Sequence, residues 1–247
     1  RRDGLTPSIL TRRPPARIMD LVDLVEEYAP GSSNILTRAY IFMAKVHRGQ
    51  SRLTGEPYII HPLEVARILA DMHQDPETVV GGLLHDTVED TSASVEEIRD
   101  LFGERIADLV NGVTKLSKLD YGSAQTLQAE NYRKMLLAMA QDIRVILIKL
   151  ADRLHNAQTL EYLPLKRRER IARETAVIYA PLANRLGIGW LKGALDEEAF
   201  RHLNSKEFQE IDEKLKEGLA DRELYLNELI QIIQEEMKES GNKGAVT

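Results

Sequence analysis

Asp142-Ile-Arg-Val-Ile-Leu-Ile-Lys-Leu-Ala-Asp152 is the stretch on which the fold turns. Asp142 is suited to cap a helix N-terminus. The residues behind it are apolar on nearly every side of a helix, which predicts a central, buried element. The stretch also ends oddly. An ionised carboxylate in the middle of a Val-Ile-Leu-Ile helix is costly unless it is paired or bound to a metal, so Asp152 marks a site as well as a core.

Outward from this helix, apolar residues recur at helical spacing from Ile18 onward and alternating, strand-like runs are scarce, which predicts an all-α fold. Ser33 or Asn34 can cap a helix running through Ala39, Phe42, Met43 and Val46 to a stop at Gly49. Pro62 suits a first helical position, which would put His61 at the cap. From Thr78 to Asp90, residues Val79, Val80, Leu83, Leu84 and Val88 form an apolar stripe. Gly81 and Gly82 within it cost about 1 kcal/mol each relative to alanine, and such glycines usually permit close helix packing.

The chain has 247 residues, no cysteine and a net charge of −6. This length suits one large domain, or a domain with an appendage. Without cysteine there is no disulfide scaffold, zinc finger, iron–sulfur site or thiol nucleophile, so any metal must be held by nitrogen and oxygen. The acidic balance argues against general nucleic-acid binding, which needs a basic face. No apolar run approaches the roughly 20 residues of a membrane span, and no signal-peptide apolar region is found. A cytoplasmic protein is expected.

Residues 1–16 read as a flexible basic leader, 17–204 as the main domain, and 205–247 as an amphipathic helical connector with Phe208, Ile211, Leu215, Leu226, Leu229, Ile230, Ile233 and Met237 on one stripe. A start at Arg1 suggests a fragment, and the connector suggests that another domain follows.

Histidine, carboxylate and amide groups concentrate in three segments: Tyr58-Ile-Ile-His61-Pro62, Leu83-Leu-His85-Asp86-Thr-Val-Glu89-Asp90, and Lys149-Leu-Ala-Asp152-Arg-Leu-His155-Asn156. Asp86, Glu89 and Asp90 fall at i, i+3 and i+4, so three acids would share one helix face and repel without a cation beside them. His61, His85, Asp86 and Asp152 would together make a mixed nitrogen and oxygen set with room for water. That set suits Mn²⁺, Fe²⁺ or Zn²⁺ in an open, catalytic style of site. Asp152 could instead pair with Lys149 or Arg153.

These segments resemble the HD-domain phosphohydrolases, whose signature is a histidine, an adjacent His-Asp pair and a distant Asp. More closely, the chain resembles the hydrolase domain of the long RelA/SpoT homologues, from about Thr37 to Asn204. Further shared words are Gly55-Glu-Pro-Tyr-Ile-Ile-His-Pro62, Ala129-Glu-Asn131, Arg173-Glu-Thr175, Tyr179-Ala-Pro-Leu-Ala183 and Arg185-Leu-Gly187.

The resemblance implies an HD-domain helical bundle with His61, His85, Asp86 and Asp152 as ligands of one divalent ion, usually Mn²⁺. It implies Glu89 and Asp90 as the acids that orient or deprotonate the attacking water, and Arg52, Asn156 and Thr159 as nucleotide contacts. The reaction implied is removal of the 3′-pyrophosphate of the alarmones ppGpp and pppGpp, with adjoining synthetase and regulatory domains as partners in a longer chain.

Leu53 stands where the family commonly has a basic residue, and His155-Asn-Ala-Gln-Thr159 where it commonly reads His-Asn-Met-Arg-Thr. Both changes remove positive charge from the nucleotide side. They leave room for an HD phosphohydrolase of another nucleotide, or for a silent nucleotide-sensing domain. The cyclic-dinucleotide branch of the superfamily is disfavoured, because its Gly-Tyr-Pro motif is not found.

His155 lies on the ligand face and reads as a supporting residue. His47, His73 and His202 read as structural or surface histidines. The run Lys166-Arg-Arg-Glu-Arg170 with Arg173 reads as a solvated helix face, as do Lys115 and Lys118, and Asn111 to Gly122 reads as a mobile element beside the substrate.

Overall fold

The computed structural model describes residues 16–117 and 141–215, with Ile230, Ile233 and Met237 beyond them. The shared word 129–131, Lys118, and Leu226 and Leu229 of the connector stripe lie outside the described residues. The chain divides into two compact units, Arg1–Ala199 and Phe200–Thr247. Among the described residues the architecture is all-helical, and the β pairing found there is an isolated bridge between Ser51 and Pro57.

The first unit is a bundle of α1 (Ile18–Tyr28), α2 (Ser33–Val46), α3 (Ile60–Asp71), α4 (Pro76–Leu84), α5 (Thr87–Asp90), α6 (Val95–Phe102), α7 (Glu104–Ser117), α8 (Ile143–Ala157), α9 (Leu165–Glu174), α10 (Ala180–Arg185) and α11 (Gly189–Leu203), the last crossing into the second unit. Helix α4 is the hub. Every residue from Thr78 to Leu84 is buried, and the helix packs against α2, α3, α7 and α8. Contact this close needs the two glycines: a Cβ on Gly81 would sit 2.9 Å from Ile148 Cδ1, and one on Gly82 2.6 Å from Leu69 Cδ1.

Asp142 caps α8 as expected, its carboxylate accepting from the Arg144 N–H at 2.9 Å. Behind the cap, Val145, Ile146, Ile148, Leu150 and Ala151 enter the core. Ser32, not Ser33 or Asn34, holds the cap position of α2, and it makes no side-chain cap bond; the Ser33 hydroxyl instead donates to Glu26.

Two sequence expectations about helix boundaries are corrected. Helix α3 begins at Ile60, so His61 and Pro62 lie inside its first turn and not at the cap. The expected single helix from Thr78 to Asp90 is two, α4 and α5, interrupted at His85 and Asp86. His85 Nδ1 donates to the Gly82 carbonyl at 2.8 Å and the Thr87 hydroxyl to the Leu84 carbonyl at 2.6 Å. These side chains take the acceptors that the Asp86 and Val88 N–H groups would use in a continuous helix.

Residues Asn111 to Ser117 of the expected mobile element belong to α7, and the remainder of that element lies outside the described residues. Between α9 and α10, Thr175–Tyr179 form a π-helical turn in which the Ala180 N–H bonds the Thr175 carbonyl, five residues back. Pro181 follows and has no N–H to continue the ordinary pattern. In the second unit residues 205–215 are helical, and Phe200 packs edge-on against Phe208 at 5.9 Å.

Candidate metal centre

Three segments of the first unit meet at one buried point. The first turn of α3 supplies His61, the break between α4 and α5 supplies His85 and Asp86, and α8 supplies Asp152. His61, His85 and Asp152 are almost fully buried. One donor atom from each of His61, His85 and Asp86 falls within 4.8 Å of the others. Asp152 stands beside both imidazoles, its Oδ1 3.2 Å from His61 Nε2 and 3.8 Å from His85 Nε2. It is also engaged elsewhere: Lys149 Nζ donates to Oδ2 at 2.6 Å, the pairing that the sequence left open, and Asn156 Nδ2 donates to Oδ1 at 2.5 Å.

His85 tests whether this pocket suits a cation. Its Nδ1 faces a carbonyl, which can only accept, so Nδ1 carries a proton and the ring, when neutral, turns a lone pair outward at Nε2. That Nε2 is buried and has no hydrogen-bond partner, although Asp86 Oδ1 lies 3.0 Å away. Where that ring is neutral, lone pairs and carboxylate oxygens converge, and a proton or a metal cation satisfies them.

The electrostatics agree. Burial pushes Asp86 and Asp152 toward the neutral form, yet His85 and His61, joined by Lys149 in the case of Asp152, hold both carboxyls well below their ordinary range. Burial opposes a charged His85, and the Asp86 and Asp152 carboxylates override it, raising its pKa. A site that draws a proton this strongly also favours a metal ion.

The expected acids are arranged unequally. Asp90 is tied to the cluster through Tyr58, whose hydroxyl lies 2.5 Å from Asp90 Oδ2 and 2.8 Å from Asp86 Oδ2. Burial and the two carboxylates raise the Tyr58 pKa, so the phenol keeps its proton. Glu89 is exposed on the same short helix and is not among the residues lining the neighbouring cavity. Sequence reasoning gave Tyr58 no role. Its one signal was its place at the head of the His61 segment. The ring also stacks on His47, with centroids 4.5 Å apart and planes within 9°.

Beside the cluster opens a cavity of about 460 Å³ that reaches Asp152 and is lined by Arg52, Asn156 and Thr159. The loop carrying Arg52 is closed by bonds from the Arg52 N–H to the Glu56 carbonyl at 2.9 Å and from the Tyr58 N–H to the Gln50 carbonyl at 3.1 Å. It turns at Gly55, whose φ of +85° is a conformation glycine adopts without strain. Arg52 donates to Asn156 Oδ1, and the Thr159 hydroxyl turns back to the Asn156 carbonyl at 3.2 Å.

Two arginines of the run read as a solvated helix face are exposed, as expected, and also border the cavity. Arg167 and Arg170 of α9 line it with Lys149 and Arg153. Arg153 lies over the Tyr179 ring at 4.0 Å and reaches Glu174 at 3.4 Å. Burial raises the Glu174 pKa against the pull of Arg153 and Arg170. Leu53 lines the same cavity and is 71% exposed, whereas Gln158 is not among the lining residues. Of the two departures from the family pattern, Leu53 is therefore the one that meets this space.

Residues 39–189 match the HD domain family. The chain is 50% identical over 227 residues to a GTP pyrophosphokinase of Myxococcus xanthus, covering 90% of this chain and 30% of that protein. It is 47% identical over 223 residues to the guanosine-3′,5′-bis(diphosphate) 3′-pyrophosphohydrolase of Aquifex aeolicus, covering 90% and 32% respectively. It is 46% identical over 222 residues to the bifunctional (p)ppGpp synthase/hydrolase SpoT of Escherichia coli, again covering 90% and 32%. The chain thus spans less than a third of the length of these relatives.

Proposed function

The chain belongs to the HD domain family, in the form found in RelA/SpoT homologues, and on that premise we propose that it hydrolyses the 3′-pyrophosphate of ppGpp and pppGpp, releasing GDP or GTP and pyrophosphate in alarmone control. The observation that carries this reading is the convergence of two buried imidazole nitrogens and two aspartates beside a cation-lined cavity. His61, His85, Asp86 and Asp152 would hold one divalent ion, Mn²⁺ by resemblance. Such an ion, when bound, supplies Lewis acidity and a water of lowered pKa.

In this reading Asp90, aligned by Tyr58, accepts the proton of the attacking water, and Glu89 helps to orient that water. The water oxygen bonds to the phosphorus that carries the 3′-oxygen, the bond between them breaks, and the 3′-oxygen takes up a proton as pyrophosphate leaves. Arg52, Asn156 and Thr159 contact the nucleoside. Lys149, Arg153, Arg167 and Arg170 offset the negative charge of the phosphates. We assign this activity to residues 17–204, with 205–247 as a connector toward adjoining domains.

Incubation with ppGpp and Mn²⁺, with and without a chelator, tests the proposal. GDP and pyrophosphate should appear only without chelator. Binding of ppGpp with no turnover in Mn²⁺ would leave a sensing domain. A second reading, an HD phosphohydrolase of another nucleotide, draws on the exposed apolar Leu53 at the cavity. Orthophosphate release from a nucleotide panel, with ppGpp untouched, would favour it.

A further inference from the structure

Five residues form a closed ring beside the cluster. Arg52 Nη1 lies 3.3 Å from His155 Nδ1, and His155 Nδ1 lies 2.8 Å from His61 Nδ1. His61 Nε2 lies 3.2 Å from Asp152 Oδ1, Asn156 Nδ2 donates to that same oxygen at 2.5 Å, and Arg52 Nη2 donates to Asn156 Oδ1. The direction of the two contacts at His155 can be assigned from one fact: a guanidinium has donors and no acceptor. Because Arg52 aims an N–H at His155 Nδ1, that nitrogen must present its lone pair. The short contact between the two Nδ1 atoms then needs its single proton on His61. A neutral His61 protonated at Nδ1 presents its lone pair at Nε2, toward Asp86 and Asp152.

We propose that His155 is a positioning residue: its Nδ1 accepts the His61 Nδ1 proton and thereby holds His61 in the tautomer and ring orientation that direct Nε2 into the cluster. His155 touches neither the ion nor the substrate in this role. Support of this kind is worth roughly 10- to 100-fold in metal affinity. The proposal rests on the metal site argued above and goes beyond it by assigning a partner to His61, 94 residues away in sequence. The ring includes Arg52 and Asn156, so the groups proposed to contact nucleotide also brace the groups proposed to hold the ion.

The test is calorimetric titration of the metal-stripped protein with Mn²⁺ alone, with no nucleotide present. His155→Phe keeps a ring of similar size and removes the acceptor, and it should bind Mn²⁺ about tenfold or more weakly. His155→Asn can offer an oxygen near the Nδ1 position and should recover affinity to within about threefold of wild type. A purely space-filling role predicts the reverse order.

His155→Phe binding within about twofold of wild type overturns the inference, as does an Asn variant as weak as the Phe variant. If His155→Phe does not unfold cooperatively, His155→Leu decides: it too lacks the acceptor, and a Mn²⁺ affinity within about twofold of wild type again overturns the inference. Wild-type protein that binds no Mn²⁺ would instead overturn the metal site itself, so the two failures are distinguishable.

Discussion

The hydroxyl of Tyr58 lies 2.5 Å from Asp90 Oδ2 and 2.8 Å from Asp86 Oδ2, and its single proton can serve only one of these carboxylates at a time. The phenol therefore spans a proposed metal ligand and a proposed proton acceptor. Tyr58→Phe should lower kcat roughly 10- to 100-fold, because small misalignments of a reacting group cost up to about that much. Mn²⁺ affinity, measured by calorimetry, should change far less. Unchanged kcat in Tyr58→Phe would remove Tyr58 from the mechanism.

Lys149 and Asp152 form a buried ion pair one turn apart on α8, their side chains only 12% and 5% exposed. Removing one partner of such a pair leaves an uncompensated charge, so Lys149→Met should cost roughly 3 kcal/mol in urea unfolding of the chelator-treated protein. In saturating Mn²⁺ the loss should shrink, because a bound cation neutralises Asp152. An equal loss in both conditions would argue that Asp152 does not meet the ion.

The α4 glycines give a paired stability test. Gly82→Ala drives a Cβ to 2.6 Å from Leu69 Cδ1 and 3.4 Å from the Ala66 backbone, and should destabilise by roughly 1–2 kcal/mol net despite better helix propensity. Gly193→Ala in α11 meets nothing within 4 Å and should stabilise by about 0.5–1 kcal/mol. Thermal unfolding of both variants reads the difference.

Arg167 and Arg170 line the cavity and, in the proposed reaction, act on substrate charge without touching the ion. Their alanine variants should raise KM for ppGpp several-fold with a smaller change in kcat, the pattern of lost uniform binding. An unchanged KM would return the run Lys166 to Arg170 to the solvated face that its composition suggests.

Acid stability depends on Asp142. Hydrogen bonds from Arg144 hold its carboxyl below the ordinary range against a smaller opposing effect of burial. Arg144 is shared with Glu77 at 3.2 Å and Asp75 at 3.4 Å, linking the starts of α4 and α8. Since the folded pKa is depressed, the contribution is present above the unfolded value of about 3.9 and disappears as pH falls through the folded value. Asp142→Asn keeps a capping oxygen and loses the charge. It should be less stable than wild type near neutrality and should converge with it in the acid limb of a chelator-buffered pH series.

Much of the fold is legible locally. The apolar periodicity specifies helices, Asp142 announces the start of α8, and Gly81-Gly82 announce the close approach of α4 to its neighbours. The break after Leu84 is not legible, since no glycine or proline marks it. It arises because the His85 and Thr87 side chains capture the carbonyls of Gly82 and Leu84.

The candidate site divides in the same way. The adjacent His85-Asp86 pair, the lone Asp152 within an apolar helix and the acids after His85 can be picked out in one dimension, because their chemistry is conspicuous against their neighbours. The Tyr58 bridge, the His155 contact to His61 and the turning of Arg167 and Arg170 onto the cavity cannot. Each depends on helices far apart in sequence being packed together, and side-chain spacing carries no record of that distance. By itself the sequence determined the helical class and the residue types able to hold a hard cation. Only the tertiary structure decided which nitrogens face which oxygens, because that follows from how α3 and α8 pack around α4 and from which acceptors their side chains then reach.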